Sequence, residues 1–422
     1  MRLWLIPMIY VAASAVGGLT LPRIEEAYLG SYTLNLSVAS AQAYLSAAAS
    51  GTMALTGIVF AMAFIMVQFS AIAYSPRLVL WFIRDQAAFH SLGIFAATFI
   101  YALFALAWID RGATGKVPFF STILVGLLLV ASMLLFARLM QRLTDLQITN
   151  VLNLIGDKGR EVIRVMFERA DALPMAASEH AKRVAERAPI APVTQKLSYS
   201  GKPRTIAALD VKTLVRLARQ GEATVVMSCA VGDTMVEGTS LLRVHGGRLP
   251  EKLLLRAVRL ERERTFEQDP KYPIRLLVDI AIKALSPAIN DPTTAVQTID
   301  QIEDLLRRLG KHALDSGYAA DADGIVRLVY PMPTWEDYLT LAFDEIRQYG
   351  ATSVQVLRRL RSALVDLADS LADDERAEVV RHYLQQLDLG IEHSPLESED
   401  RLKARQEDRQ GLGLSRRAAQ RP

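Results

Sequence analysis

The residues best able to do chemistry are concentrated between Arg264 and Ala295. This stretch holds Arg264-Thr265, Gln268-Asp269, an apolar run over 274–285 that carries Asp279, and then Asn290-Asp291-Pro292. Arg264, Asp269, Asp279, Asn290 and Asp291 could together line a polar pocket for a small ligand or ion, since charged groups held close together bind through charge-assisted hydrogen bonds. Each also has an ordinary structural use. Asp291 before Pro292 reads as an N-cap followed by proline at the first helical position, opening a helix that runs to Leu309 before Gly310. Asp279 stands one helical turn before Lys283 and can pair with it. Arg264 and Asp269 can brace the neighbouring turn. Capping and pairing are the first expectation, and the pocket is the competing one.

Other chemistry leaves no signature. The chain has no G-x-S-x-G, P-loop or G-x-G-x-x-G run, so neither an enzyme nor a bound cofactor is expected. Six histidines are scattered without metal-ligand spacing and Cys229 is the single cysteine, so no metal site is expected and no intramolecular disulfide can form. A net charge of +3 over 422 residues, without a clustered basic excess, argues against a nucleic-acid partner.

The elements that must position these residues begin in a membrane. From Ala27 to Pro76 no Asp, Glu, Lys or Arg occurs, and the stretch ends in an apolar run from Ala47 to Tyr74. Crossing a hydrocarbon core takes about 20 residues, and Leu3–Leu21, Ala88–Ile109 and Val117–Ala137 are also long enough. Only ten charged residues precede Arg138. The reading is therefore a helical membrane domain of about four transmembrane helices over residues 1–137, joined to a large soluble part. The first run is expected to remain as an uncleaved helix, because its apolar stretch continues past the cleavage-like Ala13-Ser14-Ala15 to Leu21.

Arg2, Arg77, Arg84, Arg138 and Arg142 would face the cytoplasm if the N-terminus is inside, against Arg23, Arg111 and Lys116 outside. That bias places the soluble domain in the cytoplasm and the protein in the inner (plasma) membrane. No ionisable group falls mid-membrane by this reading, and Gln68 and His90 lie near the cytoplasmic ends. The second span is rich in small residues. Gly51, Ala54 and Gly57 on it predict close helix packing, inside one subunit or in a homo-oligomer lining a pore. The loop from Ser75 to Gln86, with Arg77, Trp81, Arg84 and Asp85, predicts a short amphipathic helix at the membrane interface.

Beyond the membrane, residues 138–195 predict a helical stalk and a Pro-broken linker. Residues 196–248 read as a small β-rich subdomain with a helix capped by Asp210. Its Val231-to-Leu242 run resembles the strand-turn-strand of biotinyl and lipoyl barrel-sandwich domains, without a lysine at the turn. Residues 249–390 read as almost wholly helical, including a capping-box start at Thr334 and Asp337 and a helix end at Gly350. Residues 391–422 are polar and charged and are expected to be a disordered tail. The fold class is thus a helical membrane domain plus a mixed α+β, mainly helical, soluble domain.

The R-T-x-x-Q-D run, the L-V-D-I-A-x-x-A-L-S-P-A-I-N-D-P-x-T-A run and the membrane-loop S-P-R-L followed by L-G-x-F resemble the bacterial membrane family catalogued as domain of unknown function 2254. The resemblance extends from the second membrane helix to about residue 385. It implies an architecture and carries no established activity, substrate or cofactor. Two functional classes fit: a homo-oligomeric channel or transport protein with a cytoplasmic gating domain, or a membrane-anchored regulatory or scaffolding module. The lipid bilayer and further copies of the chain are the expected partners, with a small ligand or ion as a third.

Overall fold

The computed structural model describes residues 4–28, 36–73, 86–109, 117–144, 147–171, 191–314 and 317–412. The chain divides into two compact units, Met1–Asn150 and Val151–Pro422.

Four helices of the first unit are long and apolar enough to cross a membrane: α1 (Leu5–Tyr28), α2 (Val38–Ala73), α3 (Gln86–Trp108) and α4 (Phe119–Thr144). The helix α2 begins at Val38, ahead of the apolar run that starts at Ala47. Ser37 stops the backbone there, its hydroxyl accepting from Ser40 N at 3.1 Å, and the small uncharged residues after it continue a helix without strong hydropathy. At 36 residues and about 1.5 Å per residue α2 outreaches a hydrocarbon core of about 30 Å. It packs Ala41, Leu45, Ala48 and Ala49 against Tyr101, Ala102 and Ala105 of α3. On the other side of α3, a β-carbon at Gly93 would lie 2.5 Å from the ring of Tyr10, so α1 and α3 approach closely there. Hydroxyls bond across the helices: Ser14 donates to Ala97 O at 2.5 Å, and Thr98 and Ser132 lie 3.2 Å apart. His90 has a partner in Tyr10, whose hydroxyl is 3.2 Å from its Nδ1.

In the second unit, α5 (Ile148–Asp171) does not project as a free stalk. Its buried residues Val151, Ile155, Val162 and Ile163 form an apolar stripe, which is covered by α9 (Pro292–Leu309). Gly159 permits the contact, since a β-carbon there would lie 2.8 Å from Leu305, and Arg160 pairs with Asp304 at 2.7 Å.

The β-rich part contains β1 (Val193–Ser198), β2 (Arg204–Leu209), α6 (Val211–Gln220), β3 (Thr224–Met227), β4 (Thr234–Met235) and β5 (Ser240–His245), followed by α7 (Glu251–Arg256) and β6 (Val258–Glu261). Asp210 caps α6 by accepting from Thr213 N at 3.0 Å, as its sequence position predicts. Two strands, β7 (Tyr318–Ala320) and β8 (Val326–Val329), come from the segment expected to be helical, as does β6. Each is four residues or shorter, too brief for a period of two to stand out from a helical background. One sheet has the order β1-β5-β3-β8-β7, with β3 and β8 parallel, and the other has the order β4-β2-β6. The strand-turn-strand at 231–242 therefore feeds two different sheets, β4 beside β2 and β5 between β1 and β3. The two share one core around Ile206, Leu214, Val225, Met235, Leu242 and Leu328.

The helical part comprises α8 (Lys271–Ala284), α9, α10 (Trp335–Tyr349), α11 (Val354–Ser370), α12 (Asp374–Glu392) and α13 (Ser398–Ala404). Thr334 and Asp337 form the expected capping box, and Gly350 ends α10. The segment after Ser394, expected to be disordered, is ordered as far as residue 412. Asp408 N donates to Ser362 Oγ at 2.7 Å, Gln355 Nε2 donates to Gly411 O at 2.5 Å, and Gly411 lies against Val296. Its polar composition hides these anchors, because they run through backbone groups.

Candidate functional site

The loop over 262–270 joins β6 to α8. Gln268 fastens it to β2 with both ends of its amide, Oε1 accepting from Leu209 N at 2.9 Å and Nε2 donating to Leu209 O at 3.3 Å. Asp269 follows and is only 2% exposed. Its Oδ1 accepts from Lys271 N at 3.1 Å, and its carbonyl accepts from Tyr272 N at 3.1 Å, so the residue starts α8. Oδ2 has no hydrogen-bond partner. The Arg264 guanidinium stops 3.8 Å away on a side chain that is 37% exposed. On another side lies Gly232 in the turn before β4. Its φ of +91° favours glycine, and a β-carbon there would collide with Oδ2.

Helix α10 brings Tyr338 to the same place. The residue is fully buried, its hydroxyl has no partner, and the Asp269 charge acts on it. Thr265 Oγ1, on the 262–270 loop, is a third buried oxygen without a partner. Burial pushes the Asp269 carboxyl above the usual carboxylate range, against the opposing charges of Lys271 and Arg264. Burial, and secondarily Asp269, raises the Tyr338 phenol above its usual value. The arrangement can accept a positive charge or a hydrogen-bond donor at Asp269, with two hydroxyls able to turn toward it.

Of the five residues expected to share a pocket, Arg264 and Asp269 come together. Asp279 lies part-way along α8 and pairs backward with Arg275, Nε to Oδ1 at 2.7 Å, rather than forward with Lys283. Arg275 also holds Glu345 of α10 through two bonds of 2.6 and 2.8 Å, which tie α8 to α10. Asn290 and Asp291 lie past the other end of α8, a helix of 14 residues and about 21 Å. Asn290 adopts φ +51°, and Asp291 caps α9, Oδ1 accepting from Thr294 N at 3.1 Å and Oδ2 from Thr294 Oγ1 at 2.5 Å. Sequence reading missed Tyr338, which sits in an apolar helix face like any core aromatic. For Gly232 the signal was the Gly232-Asp233 turn itself.

In the membrane unit the helix α1 continues past the end of its apolar run at Leu21 and carries Glu25 into a packed interior, where it is 3% exposed. Its carboxylate caps α4: Oε1 accepts from Phe120 N at 2.7 Å, and Oε2 from Ser121 N at 3.1 Å and Ser121 Oγ at 2.9 Å. Nearby, Arg23 lies over the Trp108 ring at 4.8 Å. Gly51, Ala54 and Gly57 are exposed on α2, and at both glycines a β-carbon would meet nothing within 4 Å. Arg77, Trp81, Arg84 and Asp85 lie outside the described residues.

A family model described as a predicted membrane protein, DUF2254, matches residues 1–366. The chain belongs to this family. The match takes in all four membrane helices, the 262–270 loop and Tyr338. An uncharacterised protein of Mycobacterium bovis and one of Mycobacterium tuberculosis are each 28% identical to it over 350 residues. The alignment covers 79% of this DUF2254 chain and 64% of each relative, so it spans less than two thirds of their length. No solved structure matches.

Proposed function

We propose that this DUF2254 protein is a homo-oligomeric channel or transport protein of the inner membrane, with its second unit on the cytoplasmic side as a control domain. The observation that carries the reading is the face of α2 bearing Gly51, Ala54 and Gly57, which is exposed and has open space around both glycines. Small residues on a membrane helix let another helix approach closely, so this face suits a second copy of the chain. The Lys and Arg distribution supports a cytoplasmic second unit. Mass measurement of the detergent-solubilised protein, followed by ion flux in liposomes, tests the reading. Several subunits per particle, dispersed by Gly57→Leu, together with flux above empty liposomes, are expected.

A membrane-anchored regulatory module without transport is the second reading. It is favoured by the buried carboxylate Asp269 in the second unit and by Glu25 being fully engaged as a cap in the first. A monomeric particle without flux would replace the channel with that module.

A further inference from the structure

Asp269 is a buried carboxylate whose charge no protein group neutralises at bonding distance. One oxygen is used by the start of α8, and the other has no donor. Arg264 at 3.8 Å is beyond hydrogen-bond reach, and its exposed guanidinium shares its charge with water. Tyr338 OH, close enough to feel the Asp269 charge, and Thr265 Oγ1, four residues back on the same loop, are likewise buried and partnerless. Native interiors leave few such atoms, and an ion is one of the standard reasons for those that remain. Gly232 keeps the approach to Oδ2 free of a side chain.

The geometry points to a binding site for one dehydrated alkali-metal cation, held by Asp269 Oδ2 with the hydroxyl oxygens of Tyr338 and Thr265. The donors are all oxygen, which suits a hard cation and not a thiolate- or imidazole-seeking metal. Among the described residues no group of three or more His, Cys, Asp or Glu could hold a metal ion, so the site offers one carboxylate. A monovalent ion balances that single charge. A divalent ion would leave a buried excess positive charge next to Arg264, without the further carboxylates such ions ordinarily recruit. The site stands apart from the transport reading, since a regulatory module could carry it equally well.

The test is thermal unfolding of the full chain in detergent at pH 8, in choline chloride and in lithium, sodium and potassium chloride at one ionic strength. A saturable rise in melting temperature is expected with at least one alkali ion, roughly 5 °C at a hundredfold excess over half-saturation, and none with choline. Asp269→Asn should abolish the response. Tyr338→Phe, which keeps the ring, should raise the half-saturating concentration several-fold, and Arg264→Gln, which removes the competing charge, should lower it. These two variants keep the idea testable if Asp269→Asn does not fold. Equal melting in choline and in every alkali salt would overturn the site, as would a cation response that survives Asp269→Asn. Melting that depends on pH alone would assign the missing positive charge to a proton and overturn it as well.

Discussion

Replacing Glu25 with alanine removes the acceptor of three hydrogen bonds at the buried start of α4. Phe120 N and Ser121 N are among the first four N–H groups of that helix, which have no partner within it, and the membrane interior offers no water to replace the carboxylate. Losing an N-cap costs about 1 kcal/mol, and a hydrogen bond to a charged group contributes about 1.5–3 kcal/mol. The three bonds share one carboxylate and are not additive, so about 3 kcal/mol is expected in total. In a unit of 150 residues that corresponds to a melting-temperature loss of roughly 8 °C. Glu25→Gln keeps one acceptor and should lose about half as much, because its amide group turns a donor toward donors. Thermal unfolding in a single detergent, followed by intrinsic fluorescence or a dye, reads both variants. An alanine variant that melts within about 2 °C of the parent would refute the argument, because the helix start would then be satisfied by other groups.

Three further outcomes follow from the second unit. Asp291→Ala should cost about 1 kcal/mol while Asp291→Asn recovers most of it, since Thr294 takes both carboxylate oxygens in a cap and an amide oxygen can still accept from its N–H; denaturant titration of the two variants would expose any additional role. In choline buffer, the raised Asp269 carboxyl means that the folded state holds its proton more tightly than the unfolded state. Its contribution is therefore fully present below the unfolded carboxylate value and is lost as pH rises through the folded one, so Asp269→Asn should flatten that slope and stabilise the protein at pH 8. Gly159→Leu should push α5 off Leu305 and Pro273 and open Lys158 and Arg164 to trypsin, at a cost of about 1–3 kcal/mol; an unchanged digestion pattern would show that the contact can repack.

The caps were legible along the chain because each is local. Asp210, Asp291 and the Thr334–Asp337 box are written in residues three apart, and a helix start needs little beyond them. The membrane helices were legible for a similar reason, since lipid demands long apolar runs that no soluble element needs. Their lengths were less so: α1 runs past its hydrophobic stretch to bury Glu25, and α2 begins before its own. The short strands β6, β7 and β8 and the ordered segment over 394–412 escaped because partners distant in sequence define them. Parallel pairing of β3 with β8 joins residues a hundred positions apart, and Asp408 reaches back to Ser362.

The same division holds at the candidate site. Sequence alone determined that the chain is a four-span membrane protein of the DUF2254 type and that an unusual cluster of polar residues lies at 264–295. Residue spacing cannot say which of those groups meet, because α8 separates its two ends by about 21 Å. Tertiary structure decided that Asp291 is spent on a cap, that Asp279 turns to Arg275, and that Asp269 is sealed beneath Tyr338 and Gly232. The physical reason is burial. A carboxylate's chemistry depends on whether water and partners reach it, and elements far apart in the sequence impose that condition.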